Sequence, residues 1–74
     1  MLMVKTQSGS KYFFQETEKG IMVEIHTDSG VYEDKVIDDT LFIEKGKSVK
    51  FKYLNNDVEE SWVSTTPVIS IEEV

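Results

Sequence analysis

The sequence predicts an all-β fold: a single small β domain over residues 1–74, built as a barrel or as a strongly curled antiparallel sheet. Six to seven short strands are expected, with the first and last pairing. Three observations favour this fold. Fifteen residues are valine or isoleucine and six are threonine, whose stiff side chains suit strands. Alanine, the best helix former, is absent. The four glycines fall between apolar segments, where turns are expected.

The order of the elements follows from apolar runs separated by polar turns. The segments of strand length are residues 2–6, 11–15, 21–27, 31–37, 41–43, 48–54, 61–65 and 68–71. Two of these segments, 21–27 and 48–54, alternate between apolar and polar residues with a period of two, as half-buried strands do. The core positions that this alternation predicts are Ile21, Val23, Ile25, Val49, Phe51 and Tyr53.

The end of the chain predicts closure of the sheet. Proline has no N–H and is tolerated at the first position of a strand, so Pro67 is expected to start the last strand. Ile69 and Ile71 are then expected to fill the core. Pairing of this strand with residues 2–6 would close a barrel and remove exposed edges. Before it, residues 56–62 offer at most one helical turn, with Asp57 as its N-cap.

Composition narrows the possible functions. The net charge is −6, with eight lysines and no arginine, whereas nucleic-acid binding requires a basic surface. The missing arginine also has a compositional explanation, because alanine is missing too and both use GC-rich codons. The chain has no cysteine, no apolar run of about 20 residues and no signal-peptide pattern at its start. We therefore expect a cytoplasmic protein.

Residues capable of catalysis or metal binding are sparse. His26 is the only histidine, and alternation places it on the polar face of its strand. The adjacent acidic pairs are Glu33-Asp34, Asp38-Asp39, Glu59-Glu60 and Glu72-Glu73. Adjacent residues of a strand point to opposite faces, so these carboxylates should not converge on one ion. We expect no catalytic residue, no metal site and no cofactor, and hence no enzyme.

Aromatic residues supply the main prediction of a binding surface. Tyr12, Phe13 and Phe14 are consecutive and cannot all face one core. Exposed tryptophan, tyrosine and methionine are typical of protein interfaces. The candidate interface residues are Phe13, Met22, Tyr32 and Trp62. The other interpretation is a two-sided sheet or a bulge that turns the extra ring inward.

Four of the eight lysines lie between residues 45 and 52, interleaved with aromatic residues. Such a strand could bind single-stranded nucleic acid. Alternation, however, places Phe51 on the face opposite to Lys50 and Lys52. We therefore favour core aromatics beneath a solvated, lysine-bearing face.

Two stretches resemble short phage and prophage proteins. Residues 4–14, VKTQSGSKYFF, contain the pattern TxSGSxY, and residues 64–71, STTPVISI, contain TxPVxxI. The resemblance covers about a quarter of the chain, at its two ends. Proteins of this group are of unknown function, so no site residue carries over. The resemblance implies a hairpin near the start, a closing strand at the end and a phage origin.

These observations favour a non-catalytic protein-binding module, in the phage case a modulator of a host protein. An acidic surface would favour a basic partner. Two alternatives stay open at this point: a small barrel that binds nucleic acid or a small ligand, and a homo-oligomeric structural protein.

Overall fold

The computed structural model describes residues 1–18, 20–37, 41–55 and 59–74 and confirms the all-β prediction. Its six strands are β1 (Leu2–Thr6), β2 (Lys11–Thr17), β3 (Gly20–Thr27), β4 (Gly30–Val36), β5 (Ser48–Asn55) and β6 (Glu59–Glu73). Each strand pairs antiparallel with the next, and β6 pairs with β1, which closes the barrel as predicted. The described part of the chain has no helix long and apolar enough to cross a bilayer.

The core fills the barrel interior, and three of the six core positions that alternation predicts are buried in it: Val23, Val49 and Phe51. Its buried apolar residues are Val4, Tyr12, Phe14, Val23, Val36, Val49, Phe51 and Val68. Phe51 is fully buried, and its ring meets those of Tyr12 and Phe14 edge to face at 6.4 and 5.6 Å between centroids. The predicted core residues Ile21, Ile25 and Tyr53 pack against this cluster while remaining partly exposed.

Residues 41–43 do not form the predicted strand. They belong to the connection between β4 and β5, and this connection meets β6 at a bridge between Lys45 and Val68. Leu41 and Ile43 pack against the core, whereas 70% of the Phe42 side chain is exposed. In these three apolar residues burial alternates along the chain, as it does in a strand. The segment therefore covers the core without a hydrogen-bonded partner strand in the described part of the chain.

The predicted helical turn at residues 56–62 is also wrong where the structure describes it, because Glu59 to Trp62 lie in β6. The proposed N-cap, Asp57, lies outside the described residues. The predicted strands 61–65 and 68–71 are parts of this single strand, which runs through Pro67.

Two register shifts in β6 change which residues face the core. Between Ser48 and Lys50, the single β5 residue Val49 opposes two residues of β6, Thr65 and Thr66. A second shift lies opposite Lys5 and Thr6. Val68, not Ile69, therefore pairs with Thr6 and is buried.

The prediction that Ile69 and Ile71 fill the core was wrong, since 44% and 39% of their side chains are exposed. Val68 faces the core at this level of the barrel, because the extra residue of the first shift moves the inward face from Ile69 to Val68. The second shift leaves Ile69 unpaired and sets Ile71 opposite Val4, where its side chain stays partly exposed.

The hairpin turn at residues 7–10 touches the proline region of β6. Gly9 adopts a φ of 94°, which favours glycine, and its N–H donates to the Thr6 carbonyl at 2.9 Å. The Gln7 N–H donates to the Pro67 carbonyl at 2.9 Å, and the Ser8 N–H donates to Thr66 Oγ1 at 3.0 Å. The two stretches that carry the phage resemblance are thus adjacent in the fold.

Candidate protein-interaction site

Trp62 is the most exposed aromatic residue among the four interface candidates, with 58% of its side chain accessible. It lies on β6 directly opposite Lys52. Because the neighbouring β5 residues Phe51 and Tyr53 face the core, Lys52 and Trp62 share the outer face of the barrel. The pairing register therefore explains why the indole ring is presented to solvent.

Two lysines flank the indole ring. Lys50 Nζ lies 5.3 Å and Lys52 Nζ 5.9 Å from the centroid of the Trp62 ring, both within the range of a cation–π contact. Lys52 Nζ also forms an ion pair with Glu60 Oε2 at 2.5 Å. We call these four residues, Lys50, Lys52, Glu60 and Trp62, the Trp62 surface. It combines a flat apolar ring with charged groups fixed on two paired strands.

Phe13 and Met22 lie together on another part of the outer face, formed by β2 and β3. Both side chains are partly buried, and with Gln15, Glu24 and neighbouring residues they line a shallow pit of about 40 Å³. The Phe13 ring lies 4.8 Å from the His26 ring, between centroids. This patch is smaller and less exposed than the Trp62 surface.

His26 has a structural environment on this patch. Its Nε2 lies 2.6 Å from Glu24 Oε1, and its ring packs on Phe13. The prediction that His26 shares the polar face of its strand with Glu24 is confirmed by their pairing with Lys11 and Phe13 on the outer face. No group of three or more histidine, cysteine or acidic side chains converges among the described residues.

Tyr32 occupies a third location, beside the turn between β3 and β4. Half of its side chain is exposed, and its hydroxyl lies 3.3 Å from Ser29 Oγ. It pairs with Ile25 and therefore lies on the core-facing side of β4, but it is not part of the packed core.

The four interface candidates therefore do not form one surface. Phe13 and Met22 lie together on β2 and β3, and Tyr32 lies on β4. Trp62 lies on β6, which β1 separates from β2 and which β5 and β4 separate from β3.

Sequence reasoning missed the contribution of Lys50 and Lys52 to the site. It correctly placed these lysines on the face of β5 that is opposite to the face of its aromatic residues. It did not recognise that this face also carries Trp62 of the next strand, β6. The signal that could have found them is the short connection between β5 and β6. Treating residues 48–65 as one hairpin brings positions 52 and 62 near each other.

One carboxyl group is placed unusually within the sheet. Asp34 lies on the core-facing side of β4, opposite Val23, and burial raises the pKa of this carboxyl above its ordinary value. Its neighbour Glu33 points to the opposite face, as the alternation predicted for adjacent acidic residues. The pair Asp38-Asp39 lies outside the described residues.

Comparison of the chain with protein-family models, with curated proteins and with solved structures found no match. The resemblance to phage proteins accordingly stays a prediction from the two terminal motifs.

Proposed function

We propose that this chain is a non-catalytic protein-binding module that acts in the cytoplasm and docks through the Trp62 surface. The observation that carries the proposal is the exposure of Trp62 at 58%, on a face where no core packing requires an aromatic ring. Tryptophan is strongly enriched among the residues that dominate the energy of protein interfaces.

The arrangement of the site supports a preformed docking surface. Trp62 lies on a strand that is paired within a closed barrel, and Lys50 and Lys52 both lie within cation–π distance of its ring. Binding through a side chain that is already ordered loses less conformational entropy than binding through a mobile loop. An apolar pocket with carboxylates at its rim would complement the ring and the two ammonium groups.

The net charge of the whole molecule indicates a second property of the partner, a basic surface. With a net charge of −6, the chain would meet a basic partner faster than a neutral one. The terminal motifs support a narrower version of the proposal, in which a phage-encoded chain modulates a protein of its bacterial host.

The test is a pull-down with the tagged protein from a nuclease-treated lysate of the host cell, followed by mass spectrometry. The wild type and Phe42→Ala should retain one protein in stoichiometric amount, and Trp62→Ala should lose it. Phe42 is the matched control because its ring is also exposed, at 70%, but lies outside the Trp62 surface. A protein retained equally by all three variants would contradict the proposal.

A second candidate is binding of single-stranded nucleic acid on the same surface. Lys50 and Lys52 beside an exposed ring are what base stacking and phosphate contact require. Trp62 is the only tryptophan, so its fluorescence reports directly on a titration with oligothymidylate. Quenching that weakens as salt rises would favour this candidate, and unchanged fluorescence at low salt would reject it.

A further inference from the structure

We propose that the barrel end crossed by residues 41–43 binds a small amphiphile with an apolar body and one positive charge. A cavity of about 320 Å³ lies there, within the size range of small-molecule sites. Its apolar lining residues are Met1, Leu2, Phe14, Ile21, Leu41 and Ile43. This site is separate from the Trp62 surface and does not depend on the proposed function.

The cavity arises from the way the barrel end is covered. Strands β1, β2 and β3 contribute Leu2, Phe14 and Ile21, and Leu41 and Ile43 approach from the connection between β4 and β5. Leu41 and Ile43 pack against the core while their side chains are only partly buried. An apolar ligand body would cover the remaining exposed surface of these side chains and remove it from water.

The polar groups at the cavity favour a cation. Glu16 and Glu73 both line it. Glu73 Oε1 accepts a hydrogen bond from the Met1 ammonium group at 3.3 Å, which offsets one negative charge. Glu16 is exposed and forms no ion pair with another described residue. An ammonium head group could therefore lie beside Glu16 in contact with water while the apolar body enters the cavity.

The probe that tests this inference is octylammonium, compared with octanoate and octanol. Titration followed by ¹H–¹⁵N NMR should shift the resonances of the cavity-lining residues and leave that of the Trp62 indole unchanged. We expect octylammonium to bind at least tenfold more tightly than octanoate, because only the cation complements the rim. Equal binding of the two ions, or shifts centred on Trp62, would overturn the proposal.

Two exposed carboxylates provide a matched pair of variants. Glu16→Gln should weaken octylammonium binding several-fold and leave octanol binding unchanged, because the apolar lining is intact. Glu18→Gln should bind like the wild type, since Glu18 is exposed but does not line the cavity. Trp62→Ala should also bind like the wild type, so failure here and failure of the proposed function are distinguishable. An identical loss in the two glutamine variants would show that net charge alone governs binding and would overturn the site.

Discussion

At the scale of single residues, the face of a strand decides what an aromatic ring does. Phe51 and Trp62 lie on neighbouring strands, yet Phe51 is fully buried and Trp62 is 58% exposed. Both are large apolar side chains, so residue type alone does not tell a core residue from an interface residue. The difference comes from alternation within each strand together with the register between the two strands.

Asp34 provides a prediction at this scale. Burial raises the pKa of its carboxyl in the folded protein above the ordinary value of 3.8. The folded state therefore binds this proton more tightly than the unfolded state does. The stabilising effect of protonation is complete below the unfolded pKa and is lost as the pH rises through the folded pKa.

Asp34→Asn should accordingly raise the melting temperature at pH 7, by up to about 4 °C. The gain should vanish near pH 3, where the carboxyl is protonated in both states. Thermal unfolding followed by circular dichroism measures both values. Glu72→Gln, which removes an exposed charge from β6, controls for the change in net charge. A gain that persists at pH 3 would exclude titration of Asp34 as its cause.

At the scale of elements, β6 closes the barrel. This strand of 15 residues pairs with β5 along its first part and with β1 along its second. Register shifts interrupt both pairings, and such bulges bend a strand and increase its twist. A strand without such bulges would bend less, and it could not pair with β5 along one part and with β1 along the other.

A threonine side chain satisfies a backbone group at the first shift. Thr65 is buried, and its Oγ1 accepts a hydrogen bond from the Val49 N–H at 2.9 Å and donates one to the Thr66 carbonyl at 2.7 Å. Thr65→Val keeps the shape but leaves the buried Val49 N–H without its acceptor. We expect a loss of about 1–3 kcal/mol in the free energy of unfolding, measured by urea denaturation.

Two further variants test that explanation. Thr65→Ser retains the hydroxyl and should recover most of the lost stability. Thr66→Val removes an acceptor of the Ser8 N–H, but at an exposed position where water can replace it, so its effect should be smaller. If Thr65→Val were as stable as the wild type, the side-chain hydrogen bond would not be what stabilises the bulge.

At the scale of the whole molecule, repulsion between like charges opposes folding. The net charge is −6, and the ion pairs that Lys47, Lys52 and the Met1 ammonium group form among the described residues involve partly or largely exposed groups that contribute little each. On the outer face, Glu24 and Glu33 lie directly opposite each other on paired strands, an unfavourable arrangement. The compact state therefore concentrates negative charge that the unfolded chain spreads out.

Salt should stabilise this protein. Raising NaCl from 10 to 150 mM shortens the screening length from about 30 to about 8 Å, and the melting temperature should rise by roughly 2–5 °C. Glu33→Gln should melt higher than the wild type at low salt and gain less from added salt, because it removes one repulsive pair. A melting temperature that falls with salt would mean that attractive pairs dominate.

The candidate site could be predicted only in part. Trp62 is an interface candidate by its residue type, and 58% of its side chain is exposed in the structure. The neighbourhood of Lys50 and Lys52 could not be read from either strand alone, since it depends on the pairing between them. The grouping of Phe13 with Met22, apart from Trp62 and Tyr32, likewise depends on the order of strands around the barrel.

The sequence by itself determined the all-β class, the core faces of β3 and β5, the hairpin at residues 7–10 and the pairing of the first and last strands. Each of these follows from local side-chain preferences or from the need to cover strand edges. The tertiary structure alone decided that Val68 replaces Ile69 and Ile71 in the core, and that residues 41–43 cover a barrel end without forming a strand. A period of two is a local property, whereas a register shift is set by distant partner strands, and one extra residue reverses every face beyond it.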